Sequence, residues 1–154
     1  SFGEGGDLEL GTVIGFHVDL GDDWAVVDNQ MALGYLQLEN TTAGCSLVLM
    51  LAKPYADFPH HLEDEPGSFE ILDRYASGLE DEESFDYPVH DGGAIQTLLR
   101  SSVGPSGSRV ALAREFGAID VALMVDLGCG TGIDAHDVLV DEVAVRFPAT
   151  VALP

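Results

Sequence analysis

The chain has 154 residues, 46% of them apolar, and a formal net charge of −21, with 27 Asp and Glu against six Lys and Arg. That length and apolar content suffice for one domain with a core of its own, which excludes intrinsic disorder. So acidic a surface repels nucleic-acid phosphates and anionic lipid, so DNA, RNA and membrane-surface binding are disfavoured, and a basic partner, a cation or simple solubility accounts for the charge.

The elements follow in chain order. The opening SFGEGGDLELG reads as a tail over residues 1–12, the mark of a trimmed or processed form whose export signal has gone, ahead of a single domain over 13–150. Phe16, Val18 and Leu20 alternate with His17 and Asp19, which predicts a half-buried strand; the turn Gly21-Asp22-Asp23 leads to a second at Trp24–Val27. Ala32–Glu39 reads as a strand, and CSLVLMLA, apolar at nearly every position, as a central strand covered on both sides. Its run Leu47–Ala52 is the longest apolar stretch of the chain and far too short to span a membrane.

Lys53–Gly67, with three prolines, two histidines and a cluster of acids, predicts a loop, and Ser68 an N-cap. Phe69, Leu72, Ala76 and Leu79 then mark one face of an amphipathic helix that stops in the run Glu80–Glu83, where the helix dipole disfavours negative charge. A short edge piece at Phe85–Val89 loses a donor at Pro88, and strands follow at Gly93–Ser101 and Arg109–Glu115. Ile119, Val121, Leu123, Val125 and Leu127 give the cleanest alternation in the chain, a strand with one buried face. Asp134 caps a last helix with the stripe Leu139, Val140, Val143, Ala144 and Phe147, which Pro148 ends. The turns are too short for parallel crossovers, so the expected fold is α+β: a mainly antiparallel sheet of about six strands with two principal helices packed on it, α/β/α sandwich-like.

Val125–Gly132, VDLGCGTG, has the strand, glycine turn and helix of the first motif of S-adenosylmethionine-dependent methyltransferases. The remainder of that machine is missing. Only 154 − 132 = 22 residues follow Gly132, without the acidic residue that would hold a ribose. A permuted arrangement fails as well, because Ala52 and Lys53 stand before Pro54-Tyr55 where an acid or amide and a proline belong. Asp126, Asp134 and Asp137 would repel an anion from the turn, so the glycines are read as a tight strand-to-helix connection with positive φ.

Other chemistry is sparse. His60 and His61 with Glu63 form the one local group with metal-ligand character, without the spacing of a known zinc or calcium motif, and a solvated acidic loop is the preferred reading. No GxSxG elbow occurs, and His17 and His90 are lone histidines of strand and loop. Cys45 and Cys129, 84 positions apart, are a disulfide in an oxidising compartment or two buried thiols in a reducing one. Neither catalytic residues nor a cofactor are expected.

The stretches GFHVDLGDDWAVVD, RVALAREFGAIDVALMVDL and DAHDVLVDEVAVRF resemble the opening strand with its Gly-Trp corner, and the closing strands and helix, of the PsbP-like fold group. The likeness spans Gly15–Phe147 and is nearest to the small actinobacterial lipoproteins of the LpqN type. It implies an α/β/α domain without shared catalytic residues. The role it implies is non-enzymatic: a secreted or lipid-anchored binding or accessory domain that meets a protein or small ligand at the cell envelope. The alternative is an acidic intracellular inhibitor or immunity-type protein that binds a basic partner by charge complementarity.

Overall fold

A computed structural model describes residues 15–30, 33–53 and 63–150. It is α+β, with a seven-stranded, wholly antiparallel sheet. The sheet is built from two meanders. The first comprises β2 (Trp24–Gln30), β3 (Tyr35–Asn40) and β4 (Cys45–Ala52); the second comprises β5 (Asp81–Pro88), β6 (Ala94–Gly104), β7 (Gly107–Phe116) and β8 (Val121–Cys129). In space the order is β2-β3-β4-β8-β7-β6-β5, so within the sheet the meanders meet at a single ladder, β4 against β8. That seam is continuous from Cys45 opposite Cys129 to Ala52 opposite Ala122. A small second sheet pairs β1 (Gly15–Phe16) with β9 (Ala149–Thr150).

The two-residue period of the strands divides the interior into two clusters. Leu47, Leu49 and Leu51 of β4 and Leu123, Val125 and Leu127 of β8 point to one face. There they meet a C-terminal helical segment made of α2 (Ala135–Val138), a π-helical stretch Leu139–Val143 and α3 (Ala144–Arg146). Trp24 fixes this layer: its indole lies edge-on to Phe147 and Nε1 donates to Glu142 Oε1 at 2.7 Å. Tyr87, fully buried, donates its hydroxyl to the Phe147 carbonyl, and burial pushes its phenol well above the ordinary range. The opposite face carries α1 (Asp64–Tyr75), whose Ile71 and Leu72, with Ala76 just beyond its end, pack on Leu98, Ala111, Ala113, Ala122 and Met124.

Several expectations are corrected. The main sheet has seven strands rather than about six. One reason is that the acidic run ends no helix: Asp81–Glu83 open β5, an edge strand in unbroken register from Asp81 opposite Ser101 to Pro88 opposite Ala94. α1 begins at Asp64 inside the stretch expected as loop, since Pro66 falls in the first turn, where a missing N–H breaks no helical bond. Ser68 is therefore a buried helix residue and not the N-cap; the buried side of α1 runs through Gly67, Ser68, Ile71 and Leu72, and Phe69 is turned outward. The strand expected over Phe16–Leu20 is confined to its first residue, because His17 and Asp19 bond instead to the carbonyls of Pro148 and Arg146. β4 is closed on one face only: Ser46 is exposed, and Val48, Met50 and Ala52 are half-buried. β8 departs in the other direction, with Ala122 and Met124 buried under α1 as well. The tail over 1–12 and the position of Ala32 lie outside the described residues.

At the β6–β7 hairpin, Gly107 has φ +145°, and an added Cβ would stand 2.4 Å from the Cys129 carbonyl oxygen. Gly107→Ala should thus cost about 1–3 kcal/mol by urea unfolding. Gly104→Ala, with nothing nearer than 3.8 Å to its Cβ, serves as the control and should cost little by comparison.

Candidate functional site

The seam ends in the one covalent cross-link of the fold. Gly130 N–H donates to the Gly44 carbonyl at 3.1 Å, so the adjoining pair, Cys45 and Cys129, occupies a non-hydrogen-bonded position, where opposed side chains approach most closely. Their Cα atoms are 4.1 Å apart and the two residues form a disulfide. Both are buried.

Beside it lies an open groove of about 560 Å³. Its floor is one row across four strands: Ser46, Gly128, Arg109 and Ser102 are successive cross-strand partners. Gly128 leaves a gap in that row, and Leu79, beyond the end of α1, forms a wall. Arg109 brings no free charge to the groove. It donates Nε and Nη2 to the two oxygens of Asp126, at 3.0 and 2.7 Å, and Nη2 also to the Tyr75 carbonyl; the bond to Asp126 holds the guanidinium pKa above its ordinary value. Ser108 is likewise committed, donating to the Ile133 carbonyl and accepting from Ala135 N–H, which anchors the start of α2.

The opposite end of β7 holds a buried charge cluster that the sequence reading missed. β6 and β7 part beyond the pair Leu98–Ala113, and the guanidinium of Arg114 fills the gap, donating to the carbonyls of Gln96 and Glu115 and lying over the Phe116 ring. Arg114 also pairs with Asp64 Oδ2, while Asp64 Oδ1 accepts from Gly117 N–H, so one carboxylate ties the first turn of α1 to the β7–β8 connection. Ser68 Oγ donates to the Asp64 carbonyl and accepts the Glu115 N–H. The Glu115 side chain is 1% exposed and its Oε2 lacks a hydrogen-bond partner. Desolvation, reinforced by Asp120 and Asp64, pushes its pKa up to about 8. The hint in the sequence was the pair Arg114-Glu115 inside a strand otherwise buried on both faces.

Of the residues singled out from sequence, the structure brings Cys45 and Cys129 together. Glu63 is exposed at the head of α1, where its carbonyl accepts from Gly67 N–H; His60 and His61 lie outside the described residues. Among the described residues no three of His, Cys, Asp and Glu converge on one point. In VDLGCGTG only Gly132 has positive φ, and β8 is flanked by antiparallel neighbours on both sides, unlike the parallel strand of a doubly wound cofactor sheet. Asp134 does cap the helix that follows, accepting from His136 N–H.

All six basic side chains are engaged by carboxylates: Lys53 by Asp120, Arg74 by Glu70, Arg100 by Asp73 and Glu82, Arg109 by Asp126, Arg114 by Asp64, and Arg146 by Asp19 and Glu142. Among the described residues, the charge left over after this pairing is carboxylate. Compared with known protein families, with curated proteins and with solved structures, the chain matches none.

Glu115 sets a pH dependence whose sign is fixed. Protonated in the fold up to about pH 8 and ionised when unfolded above its ordinary 4.5, it gives the fold one extra proton between those values. Its contribution is complete below the lower value and is lost as pH rises toward the upper, by up to about 1.4 kcal/mol per pH unit. Urea midpoints measured across pH 5–9 should show Glu115→Gln gaining on the native chain as pH rises; parallel curves would contradict the assignment.

Proposed function

We propose that this chain is a non-enzymatic binding or accessory domain that works outside the reducing cytosol, secreted or lipid-anchored at a bacterial cell envelope, and that it docks a basic protein partner. The observation that carries the reading is the engagement of every cation by an internal carboxylate. A surface arranged in this way has nothing to offer an anion and raises the local concentration of a cationic partner by long-range steering. The disulfide between two buried cysteines supports the extracytoplasmic setting, since such bonds persist where thiols are not kept reduced. The likeness of GFHVDLGDDWAVVD and the closing strands and helix to the PsbP-like group points to the same accessory role.

β5 offers the partner a defined approach. It is an outer strand of the sheet, and Asp81, Glu82, Glu83 and Asp86 are exposed along it. Such charges keep two copies from pairing edge to edge while admitting a strand of opposite sign. The intracellular alternative, an acidic inhibitor or immunity-type protein, shares the charge argument and lacks the support of the disulfide.

Affinity isolation from envelope and cytosolic fractions of the source cells tests the reading. The expected result is the chain in the envelope or secreted fraction, holding a basic protein that is released as salt is raised. Recovery in the cytosol, or a partner whose retention does not respond to salt, contradicts it.

A further inference from the structure

Gly128 interrupts β8, and nothing within the fold demands a glycine there. Its φ lies outside the left-handed region, and an added Cβ would meet only the Ser108 carbonyl oxygen, at 4.0 Å, an ordinary contact. Gly107 differs in both respects, since its hairpin requires the positive φ and leaves a Cβ no room. A glycine inside a strand weakens it and marks a bulge or a place where something approaches the backbone closely. No bulge is present, because β8 keeps unbroken register with β4 on one side and β7 on the other. The remaining use is approach from outside the chain.

The space over Gly128 is the groove, and its chemistry is that of a neutral site. Ser46 flanks the glycine on the floor, Ser102 stands beyond Arg109, Ser106 lies on the β6–β7 turn and Leu79 forms a wall. Arg109 is the one charged residue of this lining, and Asp126 neutralises it; its Nη1 has no acceptor among the described residues. β4, β8, β7 and β6 all lie inside the sheet, so the groove offers a peptide no strand edge to pair with.

We propose that this groove binds a neutral saccharide of one or two hexopyranose units, with a ring laid over Gly128. Without a side chain at that position a ring can rest against the sheet backbone, and its C–H face can pack on Leu79. Serine hydroxyls both donate and accept, as sugar hydroxyls do, and Arg109 Nη1 adds a donor. An anion is opposed by the net charge of −21 and a cation by the guanidinium, so charge selects a neutral ligand. The volume of about 560 Å³ falls within the range of about 300–1,000 Å³ usual for small-ligand sites. The disulfide adjoins both Ser46 and Gly128, so that end of the floor is held in place before a ligand arrives. The site is separate from the acidic edge at β5 and does not depend on the basic-partner reading.

The test is titration of the full, unreduced chain with maltose, cellobiose and N,N′-diacetylchitobiose up to tens of millimolar, read by amide NMR shifts. At least one sugar should give saturable shifts centred on Ser46, Ser102, Arg109 and Gly128. These should be indifferent to salt, which separates them from salt-dependent docking of a basic partner. Gly128→Val should fill the gap and lower affinity at least roughly tenfold, while the urea midpoint holds or rises, because the strand has room for a β-branched residue. The double variant Ser46→Ala/Ser102→Ala keeps the glycine and should weaken binding several-fold. No saturable shift with any of the three sugars, shifts centred elsewhere, or native affinity in both variants overturns the proposal. So does a response to the neutral peptide trialanine in place of the sugars. A loss of stability in Gly128→Val as large as that in Gly107→Ala makes the glycine structural and overturns it as well.

Discussion

The ladder between β4 and β8 is the contact on which the sheet depends. Each meander is assembled from hairpins between strands adjacent in sequence, and these close cheaply. Joining the two meanders means pairing residues about as far apart as Cys45 and Cys129, whose separation is 84. Such pairing incurs its entropy cost before any contact repays it. Two features offset that cost. The seam carries the most apolar strand of the chain against the best-patterned one, and a disulfide locks its end. The C-terminal helical segment shares one core with β4 and β8 together, so removing the seam would expose that core, while α1 packs on β6, β7 and β8 of the second meander.

Charge is divided with similar economy. The six cations are used inside the molecule: Arg114 closes the gap where β6 and β7 part, Arg109 anchors the end of α1 through Tyr75, and Arg146 lies against Gly21 at the corner before Trp24. What faces outward is carboxylate, and this is the basis for proposing a basic partner. Glu115 is the exception, a carboxyl taken inside and kept protonated by burial, where a neutral isostere would serve the fold better at alkaline pH.

Much of the fold was legible because its strands obey simple periodicity. CSLVLMLA is a strand over its full length, and the Ile119–Leu127 alternation becomes β8 from Val121 onward and runs into Cys129, while Ile119 and Asp120 belong to the turn before it. The misses arise where tertiary contacts override local signals. Pro66 and Gly67 read as loop, yet a first helical turn tolerates the proline, and the buried side of α1 runs through Gly67 and Ser68, whose hydroxyl takes the Glu115 N–H. The acids Asp81–Glu83 read as the end of a helix; their backbone pairs with β6, and Glu82 and Glu83 find Arg100 and His136. At the level of sites, the sequence admits a disulfide or two thiols at Cys45 and Cys129 according to compartment, and the fold pairs them. The buried cluster around Arg114 shows in the sequence only as the charged pair Arg114-Glu115 inside an apolar strand, and the stacked rings of His17 and His90 do not show at all, since both depend on segments brought together over 50 or more positions.

Whether the seam is cross-linked is decided by thiol titration of the denatured, unreduced protein combined with urea unfolding before and after reduction. The cross-linked fold should show no titratable thiol in the unreduced chain and should lose about 4–5 kcal/mol on reduction, the loop-closure value for a cross-link of this span. Two free thiols, or an unfolding midpoint indifferent to reductant, would contradict it.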